Sequence, residues 1–187
     1  MSGFVMVFAG LTGVLSVLNL LLTAALIRRL RRRGGPAAAP GGSGPGTAPR
    51  VMLAGGEKAG AFRARTTRGE PVDEGFFAEG TTLFGAFAQG CGSCEERLPE
   101  FLQIAEVFPG GGEQVLVLLI GAERDLEAKR AALEPVATVV TEEMPGGPVG
   151  RALGVTGYPA MALVDPGGLV RASGTTVRDM MTAGAGV

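Results

Sequence analysis

Apolar and polar positions divide the chain into three stretches of different character. Phe4 to Ile27 runs 24 residues without a charge and is rich in Leu and Val. At about 1.5 Å per residue, a helix of that length crosses a hydrocarbon core of roughly 30 Å with some tilt. Gly34 to Arg50 (GGPAAAPGGSGPGTAPR) has no apolar period and cannot bury enough surface to order itself. It predicts a flexible tether with a reach of roughly 20–25 Å. From Val51 onward, short apolar blocks alternate with helical patterns. Phe62 to Thr67 predicts a short strand, followed by a turn at Arg68-Gly69-Glu70-Pro71. Thr81 to Phe87 (TTLFGAF) predicts a buried strand. Glu95 to Phe108 predicts an amphipathic helix with Leu98, Phe101, Leu102, Ala105 and Phe108 on one face and a kink at Pro99. After Gly110-Gly111-Gly112, Val115 to Ile120 (VLVLLI) reads as a strand covered on both faces. Glu123 to Leu133 is a charged helix ended by Pro135, Val136 to Val140 a strand and Val149 to Leu153 a helical turn. Ala160 to Val164 is a strand that turns at Pro166-Gly167-Gly168 into a return strand, Leu169 to Ala172. The stretch from Thr175 to Val187 is weak: Val177 to Met181 starts a helix that Ala183 to Val187 does not sustain.

Strands alternating with helices, closed by a hairpin, make an α/β domain in which helices flank a mixed central sheet. The expected organisation is a tail at 1–3, a membrane anchor at 4–27, a basic segment at 28–33, a tether at 34–50 and one folded domain at 51–187. A cleaved signal peptide is the competing reading of the first apolar run. It lacks a positive n-region, is too long, and ends in Arg28-Arg29-Leu30-Arg31-Arg32-Arg33 where a small-residue cleavage site would stand. Within the anchor, Thr12, Ser16, Asn19 and Thr23 share one helical face. Such a stripe hydrogen-bonds to a partner helix in the lipid bilayer, although Ser and Thr also bond back to their own backbone. The Arg cluster directly after the span places the C-terminal side of a single-pass protein at the cytoplasmic face of the cell membrane.

Charge sharpens this division. The net −1 of the chain hides 11 basic and 18 acidic residues from Val51 onward, a body charge of −7 with no basic face. That argues against nucleic acid as a partner. The chain has no His and no Trp. Ser-His-Asp and Cys-His catalysis and His-ligated metal sites are thereby excluded, leaving thiols, carboxylates, Lys or Arg, and the sole tyrosine, Tyr158.

The only two cysteines, Cys91 and Cys94, lie at the predicted strand-to-helix turn. The thiolate is the reactive species, and a helix N-terminus favours its negative charge. Cysteines so spaced reach disulfide distance without backbone rearrangement. A purely structural disulfide would close a loop too small to add much stability. Two Cys without His supply half a zinc site, which only a dimer would complete. A reversible dithiol/disulfide, which needs no metal and no bound cofactor, is the expected chemistry.

FAQGCGSCEERLPEF (Phe87 to Phe101), ALGVTGYPAMALVDPGGLV (Ala152 to Val170) and an anchor ending in IRRLRRR together resemble a known pattern. The chain resembles membrane-anchored thioredoxin-like proteins of the TlpA, ResA and MauD (redoxin) type, over about 57–174 plus the anchor. The resemblance implies a thioredoxin-like fold and a thiol–disulfide oxidoreductase that exchanges disulfides with protein substrates and a redox partner. It implies that Cys91 is the exposed nucleophile, Cys94 the buried resolving thiol, and Pro159 a cis-proline presenting a substrate-binding backbone edge beside Tyr158. It also implies an extracytoplasmic domain, against the cytoplasmic placement that the Arg cluster favours.

The chain departs from the pattern at several positions. Gly90 stands where the family often has an aromatic residue, and Gly92-Ser93 replaces the thioredoxin Gly-Pro. Gly85 stands where thioredoxins carry a buried Asp, and Arg97 where several TlpA-type reductases carry Glu. Glu95 and Glu96 are nearby carboxylates, but in a first helical turn they ordinarily serve the helix dipole. Gly92, Ser93, Glu95 and Arg97 are thus the expected modulators of the pair. Tyr158 is expected to line the groove or to pack. A peroxiredoxin-like peroxidase and a non-catalytic assembly or docking protein remain as alternatives; the second Cys three residues on fits disulfide exchange better than peroxide chemistry.

Overall fold

The computed structural model describes residues 50–184. The expected anchor with its polar stripe, the Arg cluster and the tether up to Pro49 lie outside the described residues. Among the described residues no helix is long and apolar enough to cross a membrane.

A two-stranded antiparallel ribbon, β1 (Arg63–Arg65) and β2 (Pro71–Asp73), precedes a five-stranded sheet. The sheet comprises β3 (Thr82–Ala88), β4 (Val115–Ile120), β5 (Thr138–Glu142), β6 (Ala160–Asp165) and β7 (Leu169–Gly174), in the order β5-β4-β3-β6-β7. β3, β4 and β5 are mutually parallel, whereas β6 pairs antiparallel with β3 and with β7. The mixed sheet expected from the pattern is therefore present. Helix α1 (Gly92–Val107) joins β3 to β4, α2 (Glu123–Leu133) joins β4 to β5, and the short α3 (Pro148–Ala152) leads to β6. Helix α4 (Val177–Gly184) follows β7. The two parallel crossovers step the same way across the sheet, so right-handed connections put α1 and α2 on one face.

Burial follows the period-two alternation of strands. Leu83, Phe87, Val115, Val117 and Leu119 point to the face covered by α1, α2 and α4, where they meet Leu98, Phe101, Leu126, Leu133 and Met180. Phe84, Ala86, Leu116, Leu118 and Ile120 point to the other face, under Phe62, Phe77, Val149 and Leu153. All six residues of β4 are buried, as its unbroken apolar run implies. Backbone before β1 lies along the edge strand β7, and the turn between β1 and β2 lies along the edge strand β5. Gly56 N donates to Val170 O, Val170 N donates to Glu57 O, and Thr67 N donates to Val139 O. These bonds occupy free backbone groups on both edge strands, β7 and β5, and blunt each edge against further pairing.

Several elements differ from the sequence reading. Helix α1 begins at Gly92, three residues earlier than expected, because Cys91 acts as its N-cap. Cysteine is not among the usual capping residues, so the pattern alone misses it. Pro99 lies inside the helix, as the pattern expects, on its exposed side. Strand β5 is shifted to Thr138–Glu142, since the residues after α2 are used in a turn in which Val136 N bonds Leu133 O. Pro71 opens β2 and does not close a turn. The C-terminal helix reaches Gly184, beyond the expected fade-out. Thr176 Oγ1 accepts from Asp179 N (3.1 Å) while Asp179 Oδ2 accepts from Thr176 N (3.2 Å), a reciprocal cap that nucleates the helix. Val177 and Met180 then bury against the sheet.

One packing contact ties the central strand to α1. A Cβ on Gly85 would sit 2.7 Å from Cε2 and Cζ of Phe101 and 3.0 Å from Cε2 of Phe87. The two rings stack edge to face at 5.2 Å. Gly85→Ala therefore overpacks a fully buried site. It is expected to destabilise the domain by about 1–3 kcal/mol, read as a lower midpoint in denaturant unfolding. A midpoint equal to that of the parent protein would show that the rings move aside freely.

Candidate functional site

The cysteine pair is built by the end of β3. Gln89 N bonds Ile120 O (2.8 Å), which ties the turn to the end of β4, and Gly90 takes a left-handed φ of +66°. Cys91 follows in extended backbone and caps α1. Its carbonyl accepts from Cys94 N (3.0 Å) and Glu95 N (3.2 Å), and its Sγ lies 3.2 Å from Cys94 N. The two residues are disulfide-bonded, with Cα atoms 5.2 Å apart. Cys94 is fully buried in the core under α1, whereas Cys91 is only half-buried at its rim. Gly92 and Ser93 are exposed, and Ser93 Oγ stands 3.5 Å from Cys91 Sγ. The arrangement presents one sulfur to a partner and withholds the other, with a backbone N–H and the start of a helix at the presented sulfur.

The charged neighbours have partners of their own. Glu95 pairs with Lys129 of α2, whose side chain is only 10% exposed, so a nearly buried cation is held against the first turn of α1. Arg97 stands 3.9 Å from Glu100, one helical turn on, with both side chains partly in solvent, a pair of little energetic weight. Glu95 is thus already paired, and Arg97 is a permanent cation that cannot act as a base. The position where thioredoxins carry a buried acid is filled as well: the Phe101 ring occupies the space beside Gly85 that such a side chain would need.

The second half of the site comes from the loop before β6. The register Ala86↔Ala160 sets Pro159 at the β6 end that lies beside the end of β3, which leads into Cys91. The Tyr158–Pro159 peptide is cis, with Pro159 buried. Tyr158 is half-buried and packs against the core on both faces of the sheet, so it straddles this sheet end. Burial, and secondarily the Glu142 carboxylate, push its phenol above the ordinary range. The loop is pinned from outside: Val51 O accepts from Thr156 N (2.7 Å) and Gly157 N (3.3 Å). A Cβ on Gly157 would meet Val51 Cγ1 at 2.9 Å, so glycine is required there. The chain thus enters the fold beside the cis-proline loop. A cavity of about 650 Å³ lined by Thr81, Phe108, Gln114, Leu163 and Arg171 opens at the opposite sheet end and has no part in this site.

The fold therefore gathers Cys91, Cys94, Tyr158 and Pro159 at one sheet end, with Gly92 and Ser93 on the outer surface. Sequence reasoning missed two residues here. Lys129 lies in a helix of alternating charges, where no periodicity marks one lysine as buried. Glu142 ends a strand directly before a Gly-rich turn and a short helix. An acid at that junction is the signal that would have found it.

No family model and no curated protein sequence matches the chain. Solved structures do resemble it. The thioredoxin domain of a thiol-disulfide oxidoreductase from Bacteroides vulgatus superimposes with a TM-score of 0.54 at 21% identity, covering 70% of this chain and 94% of that one. A DsbF homologue from Corynebacterium diphtheriae gives 0.54 at 13% identity, over 76% and 95%. A thio-disulfide isomerase from Thermus thermophilus gives 0.50 at 20% identity, over 72% and 100%. At such identities the likeness shows the fold, and the fold of residues 50–184 is thioredoxin-like with a Cys-x-x-Cys pair at its first crossover helix.

Proposed function

We propose that the protein is a membrane-tethered thiol–disulfide oxidoreductase that exchanges its Cys91–Cys94 pair with protein substrates. The observation that carries this reading is the asymmetric disulfide at the start of α1, with Cys91 reachable and Cys94 sealed in the core. In the reduced form, the Cys91 thiolate attacks one sulfur of a substrate disulfide. A Cys91–substrate disulfide forms and one substrate thiolate leaves. The Cys94 thiolate then attacks Cys91 Sγ, closing the intramolecular disulfide and releasing the second substrate thiolate. Two electrons pass to the substrate, and a dithiol redox partner returns them. The oxidised form runs the same steps in reverse on a substrate dithiol.

Each local feature has a part in this scheme. The helix start and the Cys94 N–H favour negative charge at the mouth of the site. Ser93 Oγ is within reach of the attacking sulfur. Tyr158 and Pro159 form the edge against which a polypeptide lies. The apolar run Phe4 to Ile27 holds the domain to the bilayer, and the tether limits the disulfides it meets to those near the membrane. No bound cofactor enters the scheme.

Cys94→Ser should trap the mixed disulfide, visible as a mass shift on non-reducing gels that a reductant removes. Cys91→Ser should abolish both the adduct and disulfide exchange. An unchanged cellular phenotype of Cys91→Ser would instead favour a docking role for the domain. The Arg cluster favours the cytoplasmic side and the family resemblance the outer one; on the charge rule, a reporter that works only outside the membrane should be silent when fused after Val187, and activity there would favour the outer side.

A further inference from the structure

Glu142 lies at the end of β5 on the face opposite α1, two residues beyond Val140 and therefore on the same side as it. Its side chain is buried, with the residue 8% exposed. One carboxylate oxygen, Oε1, accepts from Val149 N (2.7 Å) and Gly150 N (3.4 Å) in α3. The other, Oε2, is buried and has no hydrogen-bond partner. The carboxyl group has room only because its neighbours are glycines. A Cβ on Gly147 would overlap it, and one on Gly150 would stand 3.2 Å from Oε2. Capping α3 needs a single acceptor oxygen. A second buried oxygen with nothing to accept from is a cost that capping does not explain.

The two residues that Glu142 holds are those onto which the cis-proline arm is tied. Leu153 N bonds Val149 O (3.1 Å) and Val155 N bonds Gly150 O (2.8 Å). Thr156 and Gly157 then bond Val51 O, and Tyr158 and Pro159 follow. We propose that Glu142 is a positioning residue for the polypeptide-binding edge: from the far face of the sheet it holds α3, and through Val149 and Gly150 it sets where the Tyr158–Pro159 arm presents that edge. Tyr158 also senses this carboxylate: burial and, secondarily, Glu142 push its phenol above the ordinary range. Glu142 faces away from the Cys94 side of the sheet and is not a base for that thiol. The inference rests on the exchange reading above.

The test uses the full-length chain in detergent, wild type and Glu142→Gln, reducing insulin and a small aromatic disulfide with a dithiol donor. The amide keeps an acceptor for Val149 and Gly150 but removes the charge. The KM for insulin should rise about tenfold, the effect of weakening one charge-assisted hydrogen bond, and the insulin-to-small-disulfide ratio of kcat/KM should fall with it. Gly147→Ala displaces the carboxylate without removing its charge; it should lower the same ratio, and it carries the test if Glu142→Gln does not fold. Tyr158 is the only tyrosine in a chain without Trp, so the tyrosinate absorbance band reads this phenol alone. It should titrate at lower pH in Glu142→Gln. An insulin KM equal to that of wild type in the folded variant, or a Tyr158 titration that does not move, overturns the proposal. Wild-type protein inactive on both disulfides would sink the exchange reading, and amide hydrogen exchange at Val155 to Tyr158, faster in Glu142→Gln if Glu142 holds the arm and unchanged if it does not, would still decide the positioning role.

Discussion

The backbone hydrogen bonds that join β3 to β4 on one side and to β6 on the other decide where the reactive groups lie. The parallel ladder to β4 forces a long crossover, which α1 provides, and a crossover must start where the strand ends. The antiparallel ladder to β6 brings the start of a different strand to that same end. The dithiol and the cis-proline are separated by much of the domain in sequence, yet the two ladders leave them no other place to be. A slip of one residue in either ladder would turn every apolar side chain of β3 to the wrong face. The register of the site is thus enforced by the core, which buries Leu83, Phe84, Ala86 and Phe87 almost completely.

The same packing sets the electrostatics. On the α1 face the central strand carries Gly85, and the Phe101 ring fills the volume that its missing side chain leaves. Among the described residues, the buried side chains of that face include no carboxylate. Charge is instead held at the surface of this face, where Lys129 meets Glu95, and on the opposite face, where Glu142 lies under α3. An anion at Cys91 is therefore stabilised by groups at the mouth of the site: the helix start and a backbone N–H. These sources are local, and they act on the sulfur that a substrate meets first.

Much of this was legible in the sequence, for reasons that can be named. Strands such as Val115–Ile120 carry unbroken apolar runs because both their faces are covered, and the turn at Pro166-Gly167-Gly168 punctuates the final hairpin unmistakably. The cysteine spacing and the Gly-Tyr-Pro ahead of a strand marked both halves of the site. What escaped depends on tertiary placement. Cysteine as a helix cap, an Asp in the reciprocal cap of α4, and the burial of one lysine among several charges leave no periodic trace. The two-stranded ribbon and the segment before it were partly hidden because their role is to cover sheet edges, which calls for backbone contacts and few apolar residues. Glu142 escaped because attention to acids near Cys91 in sequence overlooks an acid that the sheet order brings to the same end.

In the exchange reaction proposed above, the filled space at Gly85 bears on the second step. Cys94 must become a thiolate to release the substrate, yet it is sealed from solvent in an apolar setting, which disfavours the charged form. In a thioredoxin a buried carboxylate can take up that proton; here the Phe101 ring excludes one. The proton must therefore leave toward the mouth of the site, and the nearest route is the sulfur chemistry itself. When Cys91 is joined to substrate, the departing substrate thiolate is a base generated within the same small volume, and α1 starts at that point. A core built this way makes resolution depend on the leaving group as well as on the enzyme: a substrate thiol of low pKa departs readily from the mixed disulfide, and one of high pKa holds it longest. In the proposed reaction, discrimination between partners then rests in part on the second step.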